Sequence, residues 1–201
     1  MTRHPMPPPA AQLSLAGIDA PRVSDRLFFG VLPDAAALER IAGLAQALRD
    51  AWGLQGRPRS REHFHVTLHH LGDFAGVPPD VVARARAAAA GVAVPAFQAR
   101  FDRVGSFAGR AGKLPFVLLG EEGPTGLHRM HAALAERLAI SGWRGVPERT
   151  FVPHVTLLYD AQAVPVQPVE PVSWPVREFV LIHSLLGRAE YRLLGRWVLP
   201  A

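Results

Sequence analysis

Cysteine is absent from this 201-residue chain. That excludes a disulfide framework, a thiolate metal site and a cysteine nucleophile. Lysine is nearly absent too: Lys113 is the only one, so the formal net charge of +5 is carried by arginine. Arginine presents a planar fork that suits phosphate, although an Ala-, Arg-, Gly- and Pro-rich composition also has a bland source in a GC-rich genome. No apolar run reaches the length of a membrane-spanning helix. Pro5 and Pro7 to Pro9 interrupt any apolar signal segment behind Arg3. The expectation is therefore a cytoplasmic protein with no membrane partner. With 49% apolar residues the chain can bury a core, and its length fits one domain or one domain of two similar lobes. Residues 1–25 read as a disordered leader and 26–201 as the folded domain.

Hydrophobic spacing divides that domain into short elements. Arg26 to Leu32 reads as a strand of β-branched and aromatic residues, and Pro33-Asp34 opens a helix with Asp34 as its cap and Leu38, Ile41, Leu44, Ala45 and Leu48 on one face. His63 to Leu71 reads as a strand ended by Gly72, and an alanine-rich helix follows Pro78-Pro79-Asp80. Phe97 to Val104 and Leu114 to Leu119 read as strands around a glycine-rich turn. A third helix starts at Pro124-Thr125 and ends near Ser141-Gly142. Phe151 to Tyr159 is a strand, Val164 to Pro175 a proline-rich connection, and two last strands run about Val176 to Leu186 and Glu190 to Leu199. Strands and helices are interspersed without a regular βαβ repeat, so the expected class is α+β with mostly antiparallel sheets.

The tetrapeptide His-Val-Thr-Leu occurs twice, at 65–68 and 154–157. A short repeat alone is weak evidence; the residue types and setting give it value. Side chains on a strand alternate between faces. His65 and Thr67 then share one face and Val66 and Leu68 the other, and His154, Thr156, Val155 and Leu157 divide likewise. Two such strands facing a common cleft would bring two imidazoles and two hydroxyls to one phosphodiester. One histidine takes a proton from the attacking oxygen and the other gives one to the leaving oxygen. The hydroxyls of Thr67 and Thr156 donate to the non-bridging phosphate oxygens, where charge builds in the transition state. Nothing in that scheme calls for a metal or another cofactor.

Paired His-x-Thr-Leu strands resemble the 2H phosphoesterase superfamily and, within it, the RNA 2′,3′-cyclic phosphodiesterase and 2′-5′ RNA ligase-like proteins. Arg26 to Phe29 looks like that family's opening strand, His65 to Gly72 its first motif, Phe151 to Leu157 its second, and Ser184 to Leu186 with Tyr191 to Leu199 its closing hairpin. The resemblance covers roughly Arg26 to Leu199. It implies two pseudo-symmetric lobes with helices on the outer faces and the active site between them. It further implies that RNA or a nucleotide bearing a cyclic phosphate is the partner, that the product is a 2′-phosphomonoester, and that His154 activates water while His65 protonates the departing 3′ oxygen. A monomer is expected.

Two positions depart from the family pattern. His70 stands where an aromatic often precedes Leu-Gly, and Tyr159 stands where an arginine often follows the second motif. Tyr159 could stack on a base or hydrogen-bond a phosphate, but strict alternation puts it on the face opposite His154 unless the strand ends or bulges there. Phe107 and Arg110, on the glycine-rich turn, are further candidates for base stacking and phosphate binding, against the plainer reading of a turn with one buried phenylalanine.

Other readings use the same residues. The substrate could be a 2′-5′-linked oligonucleotide or ADP-ribose cyclic phosphate, or the enzyme could run 2′-5′ ligation in reverse. A non-catalytic RNA-binding module would bind without turnover and weaken steeply with salt. His63, His65 and His69 share one face on strict alternation, which raises a histidine metal site, but no carboxylate stands at an obvious completing position: Glu62 has the wrong parity and Asp73 lies beyond the Gly72 that ends the strand. His63 and His69 are therefore expected at the groove edge or in solvent, and His128 and His131 on the surface. His183 could be core or cleft.

Overall fold

The computed structural model describes residues 22–120, 125–143 and 150–201. Most of the expected leader, residues 1–21, lies outside the described residues, as does Pro124. The first strand begins at Asp25, which is itself buried.

The elements run β1 (Asp25–Val31), α1 (Ala35–Ala51), a 3-10 turn (Arg61–His63), β2 (Val66–Phe74), α2 (Pro79–Ala90), β3 (Phe97–Ser106), β4 (Leu114–Gly120), α3 (Gly126–Ile140), β5 (His154–Asp160), β6 (Gln167–Val176), β7 (Glu178–Leu185) and β8 (Glu190–Val198). The expected α+β class and antiparallel pairing hold throughout. Asp34 caps α1 as its sequence suggests, its carboxylate accepting from the Ala37 amide at 2.8 Å. Thr125 caps α3 with His128 at the third helical position completing a capping box.

The strand order is β6-β3-β4-β5-β2-β1-β7-β8. The sheet thus consists of two quartets, β2-β1-β7-β8 and β5-β4-β3-β6, related by a pseudo-twofold axis. They meet between β2 and β5 at one antiparallel rung, Val66 opposite Val155, the valines of the two tetrapeptides. Val66, Leu68, Val155 and Leu157 are all fully buried, in one core with Ile41 and Ala45 of α1 and Met130 and Leu134 of α3. The apolar face of each motif is therefore anchored under helices, leaving its other face to a groove.

Two expectations need correction. The proline-rich connection is in fact mostly the strand β6, despite Pro168, Pro171 and Pro175. It forms an edge of the sheet, pairing only with β3, where a residue without an amide hydrogen can face solvent instead of a partner. Second, His63 is not on a strand: it ends the 3-10 turn and β2 starts after His65.

Both motif strands bulge at the same place. In β2, Gly30 pairs with Thr67 and Phe29 with His69, so Leu68 is the extra residue; a second irregularity leaves Leu71 extra. In β5, Val117 pairs with Thr156 and Phe116 with Leu158, so Leu157 is extra. Each bulge resets the alternation beyond the motif. His70 and Tyr159, each five residues after its histidine, turn onto the groove face as a result.

Candidate active site

The groove over the β2–β5 junction is a cleft of about 1320 Å³. Continuing the Val66–Val155 register puts His65 across from Thr156 and Thr67 across from His154. The four polar side chains form a quadrilateral with histidines on one diagonal and threonines on the other, and all four line the cleft. Tyr159, Phe107 and Arg110 line it as well. The structure thus brings together all seven residues singled out in the sequence.

The two histidines are held in the same manner. His65 Nδ1 lies 2.8 Å from the carbonyl oxygen of His63, and His154 Nδ1 lies 2.8 Å from that of Val152. A carbonyl only accepts, so Nδ1 carries the hydrogen in both rings and the neutral ring keeps its lone pair on Nε2. Each ring also meets a phenylalanine: Phe28 lies 4.8 Å from His65, and Phe107 sits edge-on at 4.9 Å from His154. Tyr191 packs edge-on against His65 from the β7–β8 hairpin. Burial among these rings pushes the His65 pKa down to about 4, with the nearby Arg59 charge adding to the effect. The hydrogen bond to the His63 carbonyl opposes the shift without cancelling it.

The cleft is electropositive. Arg26, Arg59, Arg110 and Lys113 line it, and among the described residues no aspartate or glutamate does. Arg26 is balanced from outside by a bidentate pair with Asp73, both contacts at 2.7 Å, which holds the Asp73 carboxyl down at about 2. His70 bonds the same carboxylate at 2.9 Å. Arg59, Arg110 and Lys113 form no ion pair among the described residues, in contrast to Arg61 with Glu39 or Arg84 with Asp80. An arrangement of this kind focuses a positive field on a concave surface and suits an anion.

A family model described as the 2′-5′ RNA ligase superfamily matches residues 13–188. The chain belongs to the 2′-5′ RNA ligase superfamily. It is similar to the RNA 2′,3′-cyclic phosphodiesterase of Escherichia coli K12, with 31% identity over 149 residues covering 72% of this chain and 80% of that protein. Among solved structures, E. coli LigT complexed with 3′-AMP superposes with a TM-score of 0.69 at 29% identity, covering 89% of this chain and 99% of that one. The protein TT0787 of Thermus thermophilus shares the fold, with a TM-score of 0.69 at 23% identity over 87% of this chain and 97% of that one.

Within this superfamily fold the structure also shows what the sequence concealed. Arg59 was not among the candidates, since it lies in a loop with no motif. Its backbone amide donates to the Leu157 carbonyl at 2.7 Å, and its side chain reaches the cleft beside His65 and Tyr191. The same loop is pressed onto β5 by Gly56, whose amide donates to the Asp160 carboxylate at 2.6 Å. A Cβ at Gly56 would lie 2.0 Å from the Tyr159 carbonyl oxygen, so only glycine permits that approach.

His69 moves the other way. The bulge at Leu68 turns it out of the cleft, where Nε2 bonds the His131 carbonyl at 2.8 Å and the ring stacks on His131. His131, half-buried, in turn stacks on Phe151. His63, His65 and His69 therefore do not converge on a common point. His63 lines the cleft in a buried position, and His183 is in the core, bonded to buried Asp25 at 2.6 Å.

Proposed function

We propose that the protein hydrolyses the 2′,3′-cyclic phosphate at the end of RNA or on a nucleotide to a 2′-phosphomonoester, by a two-histidine, metal-independent route. The observation that carries this reading is the Val66–Val155 rung, which sets both His-x-Thr pairs on one face of one cleft.

The cyclic phosphate sits over the quadrilateral. Thr67 and Thr156 donate hydrogen bonds to its two non-bridging oxygens from opposite corners, where negative charge grows as the phosphorus becomes five-coordinate. His154 Nε2 takes a proton from water, whose oxygen attacks phosphorus. His65 Nε2 gives its proton to the 3′ oxygen as the P–O3′ bond breaks, leaving the phosphate on the 2′ oxygen. The proton gained by one imidazole and lost by the other balances over the turnover. Fixing Nδ1–H to a backbone carbonyl on both rings presents Nε2 to the reaction and supports the imidazolium when it forms.

The low pKa of His65 adds a condition. In the empty cleft at neutral pH His65 is uncharged, so it cannot yet be an acid. An anionic phosphate entering a site with little water favours the imidazolium, and His65 gains its proton as the substrate binds. Tyr159, Phe107 and Arg110 provide ring faces and a cation for the attached nucleoside.

Product analysis tests the reaction. Turnover of a nucleoside 2′,3′-cyclic phosphate in ¹⁸O-labelled water with excess chelator should yield the 2′-monoester carrying one label. A 3′-monoester would reverse the leaving group, and turnover only after metal addition would remove the two-histidine route.

A further inference from the structure

Lys113, the only lysine of the chain, lines the cleft. Its ammonium lies 5.4 Å from the centre of the Tyr159 ring. The placement is built into the hairpin between β3 and β4. Arg110 and Lys113 form an isolated antiparallel bridge, with the Lys113 amide donating to the Arg110 carbonyl at 2.9 Å, and Gly112 between them takes a positive φ of 74° to close the turn. Both cations line the cleft, and neither has a carboxylate partner among the described residues. The nearby carboxylate, Asp160, is buried and taken up by the amides of Gly56 and Gln162.

Two cations lining the same cleft, with no carboxylate partner among the described residues, favour an anion placed between them. Tyr159 adds a phenol at the same place, the residue being 39% exposed. Along β5, Tyr159 is three residues past Thr156, but with Leu157 extra in the bulge the paired strand advances only two residues, Val117 to Pro115, roughly 7 Å at ordinary strand rise. That offset places Tyr159 one step along the cleft from the threonines, within reach of a phosphate on the 5′ side of the same nucleoside. The volume of the cleft, about 1320 Å³, exceeds the ~300–1,000 Å³ of most small-ligand sites.

We propose that Lys113, Arg110 and Tyr159 form a second phosphate subsite for the group on the 5′ side of the reacting nucleoside, so that the preferred substrate is an oligonucleotide end rather than a bare nucleoside cyclic phosphate. This rests on the hydrolytic reading above for its kinetic form only. The chemistry recognised is a phosphate attached to the 5′ oxygen, which a preceding nucleotide or a simple 5′-phosphate can supply.

The test compares three substrates at low salt: a nucleoside 2′,3′-cyclic phosphate, the same compound with a 5′-phosphate, and a dinucleotide ending in the cyclic phosphate. The wild type should favour the two phosphate-bearing forms by about tenfold or more in kcat/KM, with the dinucleotide at least equal to the 5′-phosphate. Lys113→Gln combined with Arg110→Gln should collapse that ratio towards one and reduce the salt slope of binding by about one per cation removed. An equal ratio in the variant and the wild type, or no preference in the wild type, overturns the subsite. A binding arm keeps the inference separate from catalysis: nucleoside 3′,5′-bisphosphate should bind the wild type about tenfold more tightly than the 3′-monophosphate, and the double variant should not distinguish them. Loss of that discrimination in an enzyme that turns over nothing supports the subsite while refuting the hydrolytic reading. Its persistence in the variant refutes the subsite alone.

Discussion

Val66 and Val155 face each other on the single rung that, among the described residues, joins the two strand quartets. Both are apolar residues of a repeated tetrapeptide, and both point into the core. Their neighbours on either side necessarily point the other way. A pairing of two buried valines thus assembles two histidines and two threonines into one site, and the pseudo-twofold axis explains why the histidines take opposite corners.

His65 should take up a proton as substrate binds. With a pKa near 4 in the empty cleft, it is neutral from about pH 5 upward. Calorimetric titration of a nucleoside 2′-phosphate at pH 6 to 7, in buffers of differing ionisation enthalpy, should show net uptake approaching one proton after correction for the ligand's own ionisation. His65→Asn should abolish that uptake. Zero uptake in the wild type would contradict the acid role of His65.

Arg59 should tune that ionisation. Its charge helps to hold His65 neutral, so Arg59→Gln should raise the lower pKa of the kcat/KM profile by up to about one unit and reduce kcat/KM through loss of a cation at the phosphate. A lower kcat/KM with an unmoved pH profile would assign Arg59 to loop structure alone.

Stability should also record the buried His65. Its folded pKa lies below the ordinary histidine value, so between pH 6.5 and 4 the unfolded chain binds the proton that the folded chain refuses. Stability is full above that window and falls as the pH drops through it. The contribution is at most about 3 kcal/mol, and His65→Asn should flatten this part of the urea-midpoint profile relative to the wild type. Identical profiles would mean that His65 is solvated.

Asp25 and His183 form a core pair away from the cleft. Hydrogen bonds from Ser24 and His183 hold the Asp25 carboxyl below its usual range, so its contribution is present at neutral pH and is lost as the pH falls through its folded pKa, below about 4. Asp25→Ala strands a buried imidazole and should cost about 1–3 kcal/mol at pH 7, with kcat unchanged. An unchanged thermal midpoint would show that the pair contributes nothing.

Much of the site is legible in the sequence. The two His-Val-Thr-Leu strands announce themselves by alternating polar and apolar residues, and Asp34 and Thr125 mark helix starts by their capping chemistry. The orientations of Tyr159 and His69 are not legible, because strict alternation places each on the wrong face. The bulges at Leu157 and Leu68 that correct them arise from pairing with β4 and β1, and a pairing partner is not a local property. The strand β6 is hidden by its prolines, which matter only where an amide must donate, and its edge position removes that demand. Arg59 is invisible because a long-range contact to the Leu157 carbonyl, and the tight passage of Gly56 over Tyr159, bring its loop to the cleft.

The most direct test of the two-histidine site is kcat for a nucleoside 2′,3′-cyclic phosphate, with excess EDTA, in the wild type, His65→Ala, His154→Ala and the double variant. Each single replacement should lower kcat by about 10²–10⁴-fold, and the double should lose little more than the worse single, as groups acting in one concerted transfer do. A single variant that retains wild-type turnover, or a wild type silenced by the chelator, would contradict it.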